Sequence, residues 1–270
     1  MSREAQPNPL MRTPDEVRAA VEEAGCAKAA APAGRLFIRA VLAGAFVAFG
    51  GSFMLVVRAD GSLSFTASAL LGGLVFCLGL FLVFVAGAEL FTGNALMLMG
   101  AFSKRFPFSC VLRNWAVVYV GNAVGALMVA ALLMLADTGG LADGAVGAAA
   151  LSVAASKAAL APGVAFVRGI LCNVLVCLAV WMGFAGKTVC DKLAATVLPV
   201  CAFVALGFEH SVANLFFLPF GLMLQAATGT AVVSVAGAAM NIVCVTAGNI
   251  VGGAIVAAAY WVACAPRRVR

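Results

Sequence analysis

The sequence predicts an all-α integral membrane protein, with six transmembrane helices arranged as two inverted three-helix repeats and the second and fifth helices broken. Three observations predict it. The 270-residue chain is 64% hydrophobic and only 10% charged, with a mean hydropathy of +1.10, whereas soluble chains carry about a quarter charged residues. The few charges leave long gaps: none falls in 40–57, 61–88, 114–136, 169–186 or 211–266. Motifs of the first half also recur, in order, in the second.

Taken in chain order, residues 1–33 form a polar cytoplasmic N-terminal segment with both signs of charge and no apolar core, so no signal peptide is predicted. Within it, Thr13-Pro14-Asp15-Glu16 fits a capping box with proline at the first helical position. This predicts a short amphipathic helix over 14–30, either lying in the membrane interface or acting as a lid over a pore mouth. The transmembrane domain covers 34–264, with spans at 34–57, 68–100, 110–136, 162–185, 192–222 and 232–264. The first repeat is 34–136 and the second 162–264. A basic cytoplasmic tail, 265–270, closes the chain.

Lysines and arginines orient the spans. With the N-terminus inside, 14 of the 17 lie in cytoplasmic segments, and Arg58, Lys157 and Arg168 remain outside. The positive-inside rule therefore puts both termini in the cytoplasm. The net charge of +6 follows from this topology and is no nucleic-acid signal. The nine cysteines are scattered, mostly through apolar segments, with no CxxC pair. They read as packing residues, not as a disulfide or metal framework.

The repeat rests on three matches. Gly87, Glu89 and Asn94 recur as Gly207, Glu209 and Asn214, all 120 residues apart. Asn114, Gly121-Asn122 and Val124-Gly125 recur as Asn241, Gly248-Asn249 and Val251-Gly252, 127 apart, and Phe37-Ile-Arg39 recurs as Phe166-Val-Arg168, 129 apart. Three spans per half is an odd number, so the second half enters from the opposite side and the repeat is inverted.

A glutamate in the hydrocarbon region is expensive and marks a bundle interior or a pathway. Glu89 and Glu209, flanked by glycine and asparagine, predict helices broken at mid-membrane, and paired breaks are the best sequence pointer to a transport site. Two roles are open for the carboxylates. They either accept hydrogen bonds from freed backbone N–H groups as scaffold, the favoured reading, or take part in permeation. His210 is the single histidine and stands where the first half has Leu90. At that depth a polar ring points to function. One histidine without a cysteine cluster supplies no ligand set for a metal, so neither a cofactor nor an enzyme activity is predicted.

The stretches Ala86-Gly-Ala-Glu-Leu-Phe-Thr-Gly-Asn94, Gly169-Ile-Leu-Cys-Asn-Val-Leu-Val-Cys-Leu-Ala-Val-Trp-Met182 and Gly207-Phe-Glu-His-Ser-Val-Ala-Asn-Leu-Phe-Phe217 resemble the formate/nitrite transporter family, which also includes hydrosulfide channels. The resemblance runs from about residue 30 to 262. The architecture it implies is aquaporin-like, although aquaporins would show NPA motifs and none occurs. It further implies a homopentamer with one pore per protomer in the bacterial cytoplasmic (inner) membrane, and no cofactor. Carried over by motif, His210 is the proton-exchanging histidine and Thr92 its hydrogen-bond partner. Phe76, Leu80, Leu90, Phe91 and Phe203 form apolar constrictions, and Lys157 and Asn173 belong to the outer vestibule. Without the resemblance the apolar residues fit plain packing, Lys157 a solvated loop lysine and Thr92 a helix cap.

The function expected is pH-dependent permeation of a small monovalent weak-acid anion, formate first. The partners are the anion, protons and membrane lipid. Nitrite or hydrosulfide, or a neutral solute in an aquaporin-like channel, are the alternatives.

Overall fold

The structure, a computed structural model, describes residues 11–264. The basic tail 265–270 and the first ten residues of the N-terminal segment lie outside the described residues. The helices are α1 (Pro14–Ala30), α2 (Ala33–Arg58), α3 (Phe65–Ala86), α4 (Leu98–Phe102), α5 (Phe108–Leu135), α6 (Ala145–Ala158), α7 (Pro162–Ala185), α8 (Val189–Ala205), α9 (Ser211–Thr228) and α10 (Val235–Ala263). A 3₁₀ turn, Gly93–Met97, leads into α4. Among the described residues, α2, α3, α5, α7, α9 and α10 are long and apolar enough to cross a membrane.

Helix starts follow from local chemistry. Thr13 accepts a hydrogen bond from the Glu16 N–H while the Glu16 carboxylate accepts from the Thr13 N–H, completing the capping box of α1. Ser64 caps α3, Thr188 and Asp191 form a capping box on α8, and Ser234 caps α10.

The tightest pairs are α2 with α5 and α7 with α10. Gly125 and Gly252 explain the closeness. A Cβ on Gly125 would stand 1.9 Å from the Val41 carbonyl oxygen, and one on Gly252 2.2 Å from that of Ile170. Small residues let backbones approach where lipid supplies no hydrophobic drive between helices. α3 packs against α8, joining the halves, while Leu135, Leu198 and Val262 project from the outer surface.

Two expectations are corrected. The spans at 68–100 and 192–222 are each two helices separated by irregular backbone, as their expected breaks require, but the second continues past 222 to Thr228. The segment between spans three and four, expected to be loop, contains α6. This helix is too short to span, so a search for span-length apolar runs passes over it.

α1 lies on α4 and the 3₁₀ turn. Its buried Arg18 ties the contact down. One Nη donates to the carbonyls of Trp261 and Cys264, Nε donates to Glu22 (2.9 Å), and the other Nη donates to Ser103 Oγ (3.2 Å).

Candidate permeation site

At the first break α3 stops at Gly87, whose left-handed backbone (φ 72°) suits glycine and strains other residues. The chain then turns and leaves several backbone groups without helical partners. The Glu89 N–H donates to the Arg39 carbonyl (3.1 Å). Asn122, reaching in from α5, serves two more, its Nδ2 donating to the Glu89 carbonyl (2.9 Å) and its Oδ1 accepting from the Phe91 N–H (2.9 Å), while Nδ2 is anchored on the Ala40 carbonyl of α2 (2.7 Å). Below this, Asn94 Nδ2 donates to Glu89 (2.8 Å) and to Asn114 (2.9 Å), and Lys28 of α1 donates to Glu89 and to Asn94 Oδ1, both at 2.6 Å.

The second break repeats these contacts. Gly207 has φ 67° and the Glu209 N–H donates to the Arg168 carbonyl (3.3 Å). Asn249 of α10 donates to the carbonyls of Gly169 (2.8 Å) and Glu209 (3.0 Å) and accepts from the Ser211 N–H (2.9 Å). Asn214 donates to Glu209 and to Asn241, both at 2.7 Å, and Lys157 donates to Glu209 (3.0 Å). Glu89 and Glu209 therefore sit in frameworks of asparagine and lysine side chains. The freed backbone groups are served by Asn122 and Asn249 instead, which corrects the expected carboxylate-to-backbone bonding.

The breaks differ in what they present to each other. His210 caps α9: its Nδ1 accepts from the Ala213 N–H (3.1 Å). Its Nε2 meets Thr92 Oγ1 at 2.8 Å, and both side chains are buried. Since Nδ1 is an acceptor, the neutral ring carries its proton on Nε2 and donates to Thr92. Thr92 makes no capping bond of its own.

Two cavities approach this pair. The larger, about 500 Å³, is lined by Arg58, Lys157, Arg168, Phe76, Phe203, Glu209 and His210. The smaller, about 290 Å³, is lined by Lys28, Arg39, Leu80, Glu89, Leu90 and Asn94. Arg39 and Arg58 sit on one helix, α2, 19 residues apart, or about 28 Å along its axis. The cavities thus open near opposite ends of a membrane-length helix. Phe76 and Leu80 are one turn apart on α3 and line different cavities, so the partition at that point is about 6 Å thick. On the larger side Phe203 stacks on His210 (5.9 Å between ring centroids) and meets Phe76 edge-on (5.9 Å).

Of the residues expected to act, Phe76 and Phe203 reach the larger cavity and Leu80 and Leu90 the smaller. Phe91 reaches neither. It packs against Trp115 (6.0 Å) and Tyr119 (4.8 Å). Asn173 is buried at the centre and not in a vestibule, donating to the carbonyls of Thr92 (3.3 Å) and Asn249 (2.6 Å). Lys157 ends helix α6 with its ammonium on Glu209, so it is not a free loop lysine. Sequence reasoning missed Lys28. The signal was present: Lys28-Ala-Ala and Lys157-Ala-Ala lie 129 residues apart, the same interval as Phe37 and Phe166. Among the described residues no group of three His, Cys, Asp or Glu side chains could hold a metal.

This geometry has relatives. The family model described as Formate/nitrite transporter matches residues 15–262. The chain belongs to that family. It is 37% identical to "Formate channel FocA" of Escherichia coli (strain K12) over 257 residues, covering 89% of this chain and 90% of the relative. It is 42% identical to "Probable formate transporter" of Methanothermobacter thermautotrophicus over 253 residues, 87% of this chain and 90% of the relative. Among solved structures, "Pentameric formate channel with formate bound" superposes with a TM-score of 0.79 at 34% identity, covering 86% of this chain and 97% of that one. "FNT family ion channel" gives 0.83 at 28%, covering 93% and 99%. This member of the formate/nitrite transporter family is a multi-pass membrane protein, and the family is one of transporters and channels.

Proposed function

We propose that this chain is a channel for small monovalent weak-acid anions, formate first, with a pore in each protomer of a homopentamer. Both termini face the cytoplasm across the inner membrane, so the Lys28 cavity opens inward and the Lys157 cavity outward. The bias of lysine and arginine toward the assigned cytoplasmic segments supports this orientation.

The observation that carries the reading is the partition between two cation-bearing cavities, faced by Phe76 and Phe203 on one side and Leu80 and Leu90 on the other, with the His210–Thr92 contact beside it. A bare carboxylate taken into such a place loses hydration worth tens of kcal/mol in the Born limit, whereas its neutral acid loses only a few. Low dielectric raises the pKa of the anion itself. The species that crosses is therefore the acid. The cations of each cavity draw the anion in, water supplies the proton as hydration is stripped and the hydroxide left behind returns to the entry-side solution, and the acid crosses and releases that proton on the far side.

His210 fits this as a hydrogen-bonding guide. A second ring proton at Nδ1 would point at the Ala213 N–H, so the ring works in its neutral form, offering Nε2–H or exchanging that proton through Thr92.

Proteoliposome uptake of formate, nitrite and acetate at pH 5.5 and 7.5 tests the proposal. Formate flux is expected to rise at the lower pH and to collapse in His210→Asn. Flux independent of pH, or a His210→Asn channel with the wild-type rate and profile, would overturn the mechanism.

A further inference from the structure

The larger cavity holds more positive charge than the pore chemistry uses. Lys157 is committed to Glu209 at 3.0 Å, with side chains only 15% and 4% exposed, so that pair is neutral as a unit. Asp60, at the cavity rim, accepts from the Ser62 N–H (2.9 Å) and Ser62 Oγ (2.6 Å), which hold its carboxyl below the ordinary carboxylate range and keep it anionic, so the lining is net positive by one charge. Two cations stand without an ion-pair partner among the described residues, Arg58 at the end of α2 and Arg168 on α7, and both line the cavity. Neither takes part through its side chain in any hydrogen bond or ion pair among the described residues. Arg58 Nε is shielded from solvent with nothing to donate to. Arg168 lies over the turn of the second break, where a Cβ on Gly207 would stand 3.9 Å from its Nη1. A shielded donor without an acceptor is costly, and a guanidinium presents a planar fork that matches the two oxygens of a carboxylate.

From this geometry we propose that the outer vestibule contains an anion-docking site made by the guanidiniums of Arg58 and Arg168, separate from the Lys157–Glu209 pair, which binds a monovalent carboxylate before it reaches the apolar partition. As a waystation for substrate it rests on the channel function proposed above. As a binding site it does not. It concentrates the anion at the outer mouth, where the lysine, already neutralised by its glutamate, contributes little net charge.

The test is modification of the purified, reconstituted protein with phenylglyoxal, an arginine-selective dicarbonyl, read at each arginine by peptide mass spectrometry. Formate or acetate is expected to slow modification of Arg58 and Arg168 several-fold while leaving Arg105 unaffected. Equal rates at Arg58 and Arg168 with and without the carboxylate overturn the site.

In flux assays the double variant Arg58→Gln/Arg168→Gln is expected to raise the half-saturating external formate concentration on the order of tenfold with the maximal rate retained. Arg58→Lys/Arg168→Lys, which keeps the charge and loses the fork, falls between. An unchanged half-saturation in both double variants overturns the waystation role. If the wild type is protected by formate yet passes none, the docking site stands and the channel reading fails.

Discussion

At the first break the chain leaves α3 through Gly87 and passes Leu90, Phe91 and Thr92 before a 3₁₀ turn and the five-residue α4. At the second it leaves α8 through Gly207 and goes from His210 straight into the eighteen-residue α9, whose first residues Ser211 and Val212 stand opposite Phe91 and Thr92 in the repeat. None of the three residues is kept between the breaks, yet the hydrogen bonds around them are. The reason is that the frame is supplied from outside. Asn122 and Asn249 hold the irregular backbone, and each glutamate is held by the asparagine five residues on and a lysine from a flanking helix. With backbone groups satisfied by neighbours, the side chains at the breaks are free to differ. One half offers Thr92 and the other His210, and the contact between them is the chemistry the fold does not duplicate.

The largest effects should come from removing the shared frame. Asn249→Ala and Asn122→Ala each leave two buried backbone groups of a break without their partner, at about 1–3 kcal/mol apiece, so both should lose several kcal/mol. Thermal melting of the purified protein in detergent measures this. If one variant melts near the wild type while the other collapses, the frames are not equivalent in energy.

Next come the lysines. Lys157→Met leaves the Glu209 carboxylate, 4% exposed, without its cation, a loss of about 3 kcal/mol. The loss in Lys28→Met should be smaller, since the Lys28 side chain is 25% exposed and water screens what it leaves behind. Adding Glu209→Gln to Lys157→Met should restore most of the stability. A double variant no more stable than the single one would mean that the pair is not the unit described. Smaller again is His210→Leu, which gives the second break the residue of the first. Loss of the α9 cap should cost about 1 kcal/mol, while proteoliposome formate flux should collapse at both pH values. Stability loss with wild-type flux would reduce His210 to a cap.

The six spans were legible because twenty apolar residues without charge have few other destinations, and the breaks because Gly87-Glu89-Asn94 and its counterpart put charge and flexibility where neither belongs in a plain span. Which face of a span lines a cavity was not legible. α3 is apolar all round, so periodicity carries no direction, and inside a break there is no period at all. Leu90 and Phe91 are neighbours in sequence, yet one meets a cavity and the other turns to Trp115. Asn173, expected in the vestibule from resemblance, lies at the centre, donating to the Thr92 carbonyl of the first break and to the Asn249 carbonyl of α10, contacts that no pattern reports. The Thr92–His210 contact likewise joins residues 118 apart. Composition finds helices and repeats, whereas pairings between elements depend on packing.

The smallest predicted effect separates the helices that enter the breaks. α3 is capped by the neutral hydroxyl of Ser64, whereas α8 is capped through the carboxylate of Asp191 as well as Thr188. The Thr188 and Lys187 N–H groups, donating at 2.8 and 2.7 Å, hold the Asp191 carboxyl below its ordinary value. A depressed carboxyl stabilises the folded state fully above its unfolded value of about 3.9, and that contribution is lost as pH falls through the folded value. Amide hydrogen exchange, corrected for intrinsic rates, should therefore show the first turn of α8 losing protection as pH is lowered from about 4 through the folded value of Asp191, while the first turn of α3 does not. Asp191→Asn should remove the difference by lowering α8 protection at the higher pH. If the protection of α8 in the wild type at the higher pH is matched by Asp191→Asn, or if α3 loses as much on acidification, then the ionised cap contributes nothing of its own and the two entry helices are equivalent in this respect too.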